Sequence, residues 1–350
     1  MAEVALTFYR VSVFMKKSVF FASLAILLSS VIVPSPALAD LPVPDRPAPG
    51  PDVLPADMGW SLVWADKFEG SDLDFSKWGI EESCWGGGNW ERQCYTNRYK
   101  NVEVVNGLLR LKAFRETVTG PEFPVGHPEA PGGRITKKYT SGKVRTLGLA
   151  DWTYGRFSAR IKLPKGQGTW PAFWMLPADN AYGAWASSGE IDIMEAVNLG
   201  ARCNECEGDE GENRTSGALH FGGEWPNNTY HVQFNRLPGG ANSYDEYHVY
   251  SVEWGEGLIN WFVDDVLYYS LTSEDWYSAA VGEDSDSAAP FDMSFYLMLN
   301  FAVGGSLSED NNGRGLDRRS FPSEMLVDWV RVYQCGPDPD TGLACMQGLG

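Results

Sequence analysis

The chain has 350 residues and a formal net charge of -18, with 46 Asp and Glu against 28 Lys and Arg. That balance excludes a nucleic-acid partner, which needs clustered basic side chains, and argues equally against an anionic membrane surface. An apolar fraction of 43% supports a real core, while 14 Trp, 15 Tyr and 17 Phe give an aromatic surplus suited to stacking on sugar rings.

Residues 1–39 read as a secretory signal peptide. Lys16 and Lys17 precede the largely apolar run 18–33, and Ala37-Leu38-Ala39 supplies a small-residue cleavage site ahead of Asp40. Met15, just before the basic pair, reads as the true start. The apolar run is short for a membrane span and no other stretch approaches that length. Residues 40–58 form a Pro-rich linker containing Pro42, Pro44, Pro47, Pro49, Pro51 and Pro55. The protein is therefore expected outside the cytoplasm, extracellular or periplasmic, where six cysteines are free to pair. Sequence-local pairing gives Cys84–Cys94, Cys203–Cys206 and Cys335–Cys345, one of several connectivities that six cysteines allow. A single Cys-x-x-Cys at 203–206 is a weak zinc signal.

From about Trp60 the texture becomes short strands separated by Gly, Asn and Asp turns. Residues 102–113 read as two strands broken at Asn106-Gly107. In 154–164, Phe157, Ala159, Ile161 and Leu163 alternate with Arg156, Ser158, Arg160 and Lys162. Residues 246–254 and 259–270 follow, the latter turning at Asp264-Asp265, and 293–303 and 325–334 add two more. No stretch carries a convincing amphipathic helix. The pattern predicts an all-β sandwich or barrel over 59–334, with 335–350 as a C-terminal tail.

Chemistry concentrates in Gly189-Glu190-Ile191-Asp192-Ile193-Met194-Glu195-Ala196. On a strand, Glu190 and Asp192 share a face, but Glu195 lies an odd number of residues from Glu190 and would face the other way. A β-bulge around Ile193-Met194 would return all three acids to one side. Crowded carboxylates push one another's pKa values apart, as an acid and a nucleophile require. Retaining glycosidases hold two such groups about 5–5.5 Å apart.

Around that motif the sequence resembles glycoside hydrolase family 16 over about residues 60–334, and within it the laminarinases, endo-β-1,3-glucanases. Glu190 to Glu195 matches the bulged form of the family motif; the lichenases carry a version one residue shorter. Tyr154-Gly-Arg-Phe, Gly168-Thr-Trp-Pro-Ala-Phe-Trp-Met and Asp328-Trp-Val-Arg-Val-Tyr also match. The resemblance implies a β-jelly-roll sandwich of two antiparallel sheets with a concave glycan-binding cleft. It implies Glu190 as nucleophile, Glu195 as general acid/base and Asp192 as the residue supporting Glu190. Asn101, Trp170, Trp174, His220 and Trp225 are implied glycan contacts. It further implies a structural calcium ion, held by the main chain of Lys67 and Gly107 and the Asp328 carboxylate, and no cofactor for the chemistry.

The reading is thus a secreted, monomeric endo-hydrolase of β-1,3-glucan. Mixed-linkage β-1,3/1,4-glucanase action, or a non-catalytic β-glucan-binding protein on the same fold, are the alternatives. The acidic insertion at 201–214 and the long polar loop at 306–320 flank the presumed cleft and would shape its subsites.

Overall fold

The computed structural model describes residues 41–45, 48, 58–130, 132–203, 211–237, 240–281 and 288–346. Residues 1–39, expected from sequence to be a signal peptide, lie outside the described residues. In chain order the strands are β1 (Trp60–Asp66), β2 (Gly79–Ile80), β3 (Gln93–Tyr95), β4 (Val102–Val105), β5 (Leu108–Ala113), β6 (Val118–Pro121) and β7 (Arg134–Lys137). Next come β8 (Tyr139–Ser141), β9 (Lys143–Arg145), β10 (Gly155–Lys162), β11 (Thr169–Pro177), β12 (Glu190–Glu195) and β13 (Arg214–Gly222). The last six are β14 (Asn228–Arg236), β15 (His248–Gly255), β16 (Leu258–Val263), β17 (Val266–Thr272), β18 (Phe295–Val303) and β19 (Ser323–Cys335).

They build an all-β jelly-roll sandwich. One sheet runs β17-β16-β15-β10-β19-β5-β4, with β1 also on β19; the other runs β14-β13-β12-β11-β18-β9-β2. Every pairing in these two sheets is antiparallel. Period-two alternation places the core between them. Phe157, Ala159 and Ile161 of β10 are fully buried there against Phe173, Leu297 and Leu299 of the second sheet and its neighbours. Two of the turns read from sequence close hairpins of two residues. Asn106 and Gly107 have φ of 53° and 71°, and Asp264 and Asp265 have 50° and 62°. Positive φ at both central residues is what a type I′ hairpin turn requires.

The outer face of the first sheet hides charge rather than hydrocarbon. Glu103 accepts from buried Arg110 (2.6 Å) and Lys112 (2.8 Å), and Arg156 donates to Glu253 at 2.6 Å. The described part of the linker lies along this face, where Arg110 binds the carbonyl of Pro42 (2.9 Å) and Arg160 that of Ala48 (3.1 Å).

The C-terminal segment differs from the expected tail. Strand β19 continues to Cys335, and the chain folds back through a short 3-10 turn at Leu343–Cys345. Cys335 and Cys345 are disulfide-bonded, and with Met346 they pack on Trp60 and Tyr333. Apolar side chains at Cys335, Cys345 and Met346 reward burial, so the segment is part of the domain. Cys84–Cys94 is paired as expected; Cys206 lies outside the described residues. Among the described residues the one α-helix is α1 (Ser306–Asp310), and no helix is long and apolar enough to cross a membrane.

Candidate active site

Strand β12 sits in the middle of the second sheet, so both its neighbours fix its register. Glu190 pairs His220, Asp192 pairs Ala218 and Glu195 pairs Ser216. On the other side Asp192 pairs Trp174, whereas Met194 pairs Phe173 and Glu195 pairs Ala172. Ile193 has no partner in either ladder. It is the extra residue of a bulge, and Ile191, Ile193 and Met194 all enter the core. Glu190, Asp192 and Glu195 consequently share the open face.

Two close approaches hold the strand there. Gly189 (φ 85°) turns the chain into β12, and a Cβ on it would lie 2.8 Å from the Phe291 ring, so only glycine fits. Across the core, Gly217 leaves room for the Trp261 indole, which donates to the Asp192 carbonyl at 2.9 Å, beside the bulge.

Each glutamate receives one indole N–H. Trp170 donates to Glu195 Oε1 at 2.8 Å and Trp185 to Glu190 Oε2 at 2.5 Å. His220 Nε2 stands 3.3 Å from Asp192 Oδ2 and 4.0 Å from Glu190 Oε1. Burial and the neighbouring charges of Glu190 and Glu195 push the Asp192 carboxyl well above its usual range. Burial likewise raises Glu195, although the Trp170 bond opposes it. For His220, burial favours the neutral ring, but contact with Asp192 and the charges of Glu190 and Glu195 outweigh it and lift the imidazole to about 9. The cluster thus holds a readily protonated imidazole beside two carboxyls, Asp192 and Glu195, whose acidity burial weakens.

Trp174 joins this face with its Nε1 donating to Asn300 (2.6 Å) and Lys143 lying 4.9 Å over its ring. Trp225 is 74% exposed on the turn after β13, tied by its main-chain N–H to the Trp185 carbonyl at 3.0 Å. Glu190, Asp192, Glu195, Trp170, Trp174, His220 and Trp225 thus gather on or beside one surface. Asn101 does not. It is fully buried, its amide donates to the Lys112 carbonyl (2.9 Å) and Thr140 (3.1 Å), and its oxygen accepts from Thr96 (2.5 Å). Those bonds splice the chain ahead of β4 to β5 and β8 and leave no polar atom for a glycan.

Lys67, Gly107 and Asp328 lie near a break in the pairing of the first sheet. Strand β1 pairs β19 from Val330 onward and β5 pairs it up to Val327, which leaves Asp328 and Trp329 between the two ladders on that edge. Lys67 follows the end of β1 and Gly107 precedes β5. One carboxylate oxygen of Asp328 accepts from Arg160 at 2.6 Å, and the other carries no such ion pair.

Trp185 was not singled out from sequence. Its signal was an isolated indole in a run of small residues, Ala184-Trp185-Ala186-Ser187-Ser188, immediately ahead of the acidic strand. Lys143 and Asn300 gave none, because their relation to Trp174 depends on three-strand register.

A jelly-roll sheet presenting a spaced pair of glutamates, each oriented by an indole, with a buried aspartate between them, has the groups that a carboxylate-pair glycoside hydrolase requires. Residues 93–294 match the profile of glycosyl hydrolases family 16. The chain is 41% identical over 288 residues to glucan endo-1,3-beta-glucosidase A1 of Niallia circulans, covering 80% of this chain and 39% of that protein. It is 38% identical to the beta-glucanase of Rhodothermus marinus, covering 79% and 85%. The X-ray structure of the laminarinase from Rhodothermus marinus superposes with a TM-score of 0.62 at 35% identity, covering 78% of this chain and 97% of the other. The chain belongs to glycoside hydrolase family 16.

Proposed function

We propose that this protein is a retaining endo-hydrolase of β-1,3-glucan in which Glu190 is the nucleophile and Glu195 the general acid/base. The observation that carries the reading is the bulge at Ile193, because it turns two glutamates and an aspartate onto one face in the middle of the sheet. Glu195, its proton retained by burial, gives that proton to the glycosidic oxygen as the Glu190 carboxylate attacks the anomeric carbon. The bond to the leaving sugar breaks and a glycosyl ester forms on Glu190. Glu195, now ionised, takes a proton from water, whose oxygen displaces the ester and regenerates Glu190. Asp192, its carboxyl raised by burial and by the charges of Glu190 and Glu195, resists ionising beside the nucleophile and contacts His220. Trp185 and Trp170 orient the two glutamates, and Trp174 and Trp225 offer ring faces to the chain.

The names of the relatives support β-1,3-glucan as substrate. Export through the 1–39 segment and action as a monomer belong to the same proposal. A calcium ion at Lys67, Gly107 and Asp328 would clamp β1 and β5 to β19; a carboxylate and two carbonyls suit a hard cation. It would take no part in the chemistry. Thermal melting with calcium and with a chelator tests it, equal melting temperatures refuting the site.

The deciding experiment incubates the mature protein with laminarin, mixed-linkage glucan, agarose and κ-carrageenan and resolves the products by length. A ladder from laminarin, abolished by Glu190→Gln, is expected. Full activity in Glu190→Gln would overturn the assignment, and release from a galactan alone would overturn the substrate.

A further inference from the structure

We propose that Tyr230 and Phe234, on the open face of edge strand β14, form a second platform for the glucan chain, beyond the sugars held at the acids. The inference rests on the function proposed above and extends its substrate site.

Register carries it. In antiparallel sheets, side chains directly opposite point to the same side. Glu190 pairs His220, which pairs Tyr230; Asp192 pairs Ala218, which pairs Val232; Glu195 pairs Ser216, which pairs Phe234. Each acid therefore heads a row that ends on β14, two inter-strand spacings or about 10 Å away. On the other face of β14, itself exposed at this edge of the sheet, His231 meets Phe221 with ring centroids 5.3 Å apart and its Nε2 lies 3.0 Å from the Asp275 carbonyl.

The ends of these rows are apolar and open. Tyr230 is 59% exposed, Val232 39% and Phe234 46%. A row of rings joins them to the nucleophile: Trp185, bonded to Glu190, lies 5.6 Å from His220, and His220 lies 5.6 Å from Tyr230. Arg214, tied to Glu212 at 2.7 Å, sits 4.9 Å from the Phe234 ring and fixes it in place. An apolar stripe continuous with a glycan cleft fits the C–H faces of further sugars of the same neutral chain. The opposite end of the sheet is different in kind, with Lys143 and Arg145 paired to buried Glu81. The two ends of the sheet thus differ, charged at β9 and apolar at β14.

The test compares kcat and KM of wild type, Phe234→Ala, Tyr230→Ala with Phe234→Ala, and Tyr230→Phe on laminarin and on laminarin oligosaccharides of increasing length. For the alanine variants, KM on laminarin is expected to rise about three- to tenfold with kcat kept, the size of a lost aromatic contact. The shortest cleavable oligosaccharide should show no change, and Tyr230→Phe should behave as wild type. Phe234→Ala leaves His220 untouched, so its effect is free of any disturbance of the acids. An equal loss at every length, or none at any length, overturns the platform while leaving the hydrolase reading intact. A wild type that releases nothing from laminarin fails the hydrolase reading itself. A wild-type dimer that the double variant dissociates in sedimentation would assign the stripe to a second copy and overturn the proposal.

Discussion

Trp170→Phe isolates the contribution of one indole N–H to the acidity of Glu195. The substitution keeps an aromatic wall and removes the donor that reaches Glu195 Oε1 at 2.8 Å. A hydrogen bond to a charged group contributes about 1.5–3 kcal/mol, and about 1.4 kcal/mol corresponds to one pH unit of titration. The protonated carboxyl still accepts weakly from the indole, so roughly half of that difference separates the two forms. The bond favours the ionised carboxylate. Its loss leaves burial less opposed, and Glu195, already raised, moves up further. The alkaline limb of kcat/KM, which reports the proton on the free enzyme's acid, should move to higher pH by about one unit. Loosened packing against Val197 and Ala302 should also lower the melting temperature, by an amount equivalent to about 1–2 kcal/mol. The assay is a pH profile on laminarin with stability checked at each pH. An alkaline limb that stays in place or moves to lower pH would refute the assignment of that limb to Glu195 under Trp170.

Three further changes follow from the geometry. His220 is raised to about 9 in the fold, so its charge stabilises in full below its unfolded pKa and that contribution is lost as pH rises through 9. His220→Gln should be less stable than wild type at about pH 6, by at most about 3 kcal/mol, with the difference gone at about pH 10; a constant difference in denaturant titrations would contradict this. Gly217→Ala places a methyl 2.4 Å from the Trp261 indole. It should cost about 1–3 kcal/mol in thermal melting and lower kcat through the lost Trp261–Asp192 bond, an unchanged melt sinking the packing argument. Replacing Cys335 and Cys345 together by serine should cost about 2–3 kcal/mol in guanidinium unfolding, while kcat on laminarin stays at the wild-type value.

The sandwich was legible because its strands alternate cleanly, as in β10, and because Asn-Gly and Asp-Asp mark hairpin turns that few residues tolerate. The acids were legible for the same reason: odd spacing on a strand with apolar neighbours demands a bulge, and the bulge is there. Asn101 was misread because an asparagine before a strand looks the same whether its amide faces solvent or is spent on Lys112 and Thr140. The C-terminal segment looked like a tail because its Gly, Pro and Asp content obscures one disulfide and Met346, which together bury it. Trp185, Tyr230 and Phe234 acquire meaning only from pairings that join strands far apart in the chain, which local pattern does not carry.

The bulge at Ile193 has a genetic corollary. Removing one codon, for Ile193 or for Met194, leaves Glu-Ile-Asp-x-Glu, in which even spacing alone keeps the second glutamate on the open side. A flat strand and a kinked one are therefore adjacent in sequence space, and the step between them never turns an acid inward. What changes is how far along the strand the second glutamate stands from the first. A lineage can adjust that reach by a single in-frame deletion or insertion, without rebuilding either face of the sheet.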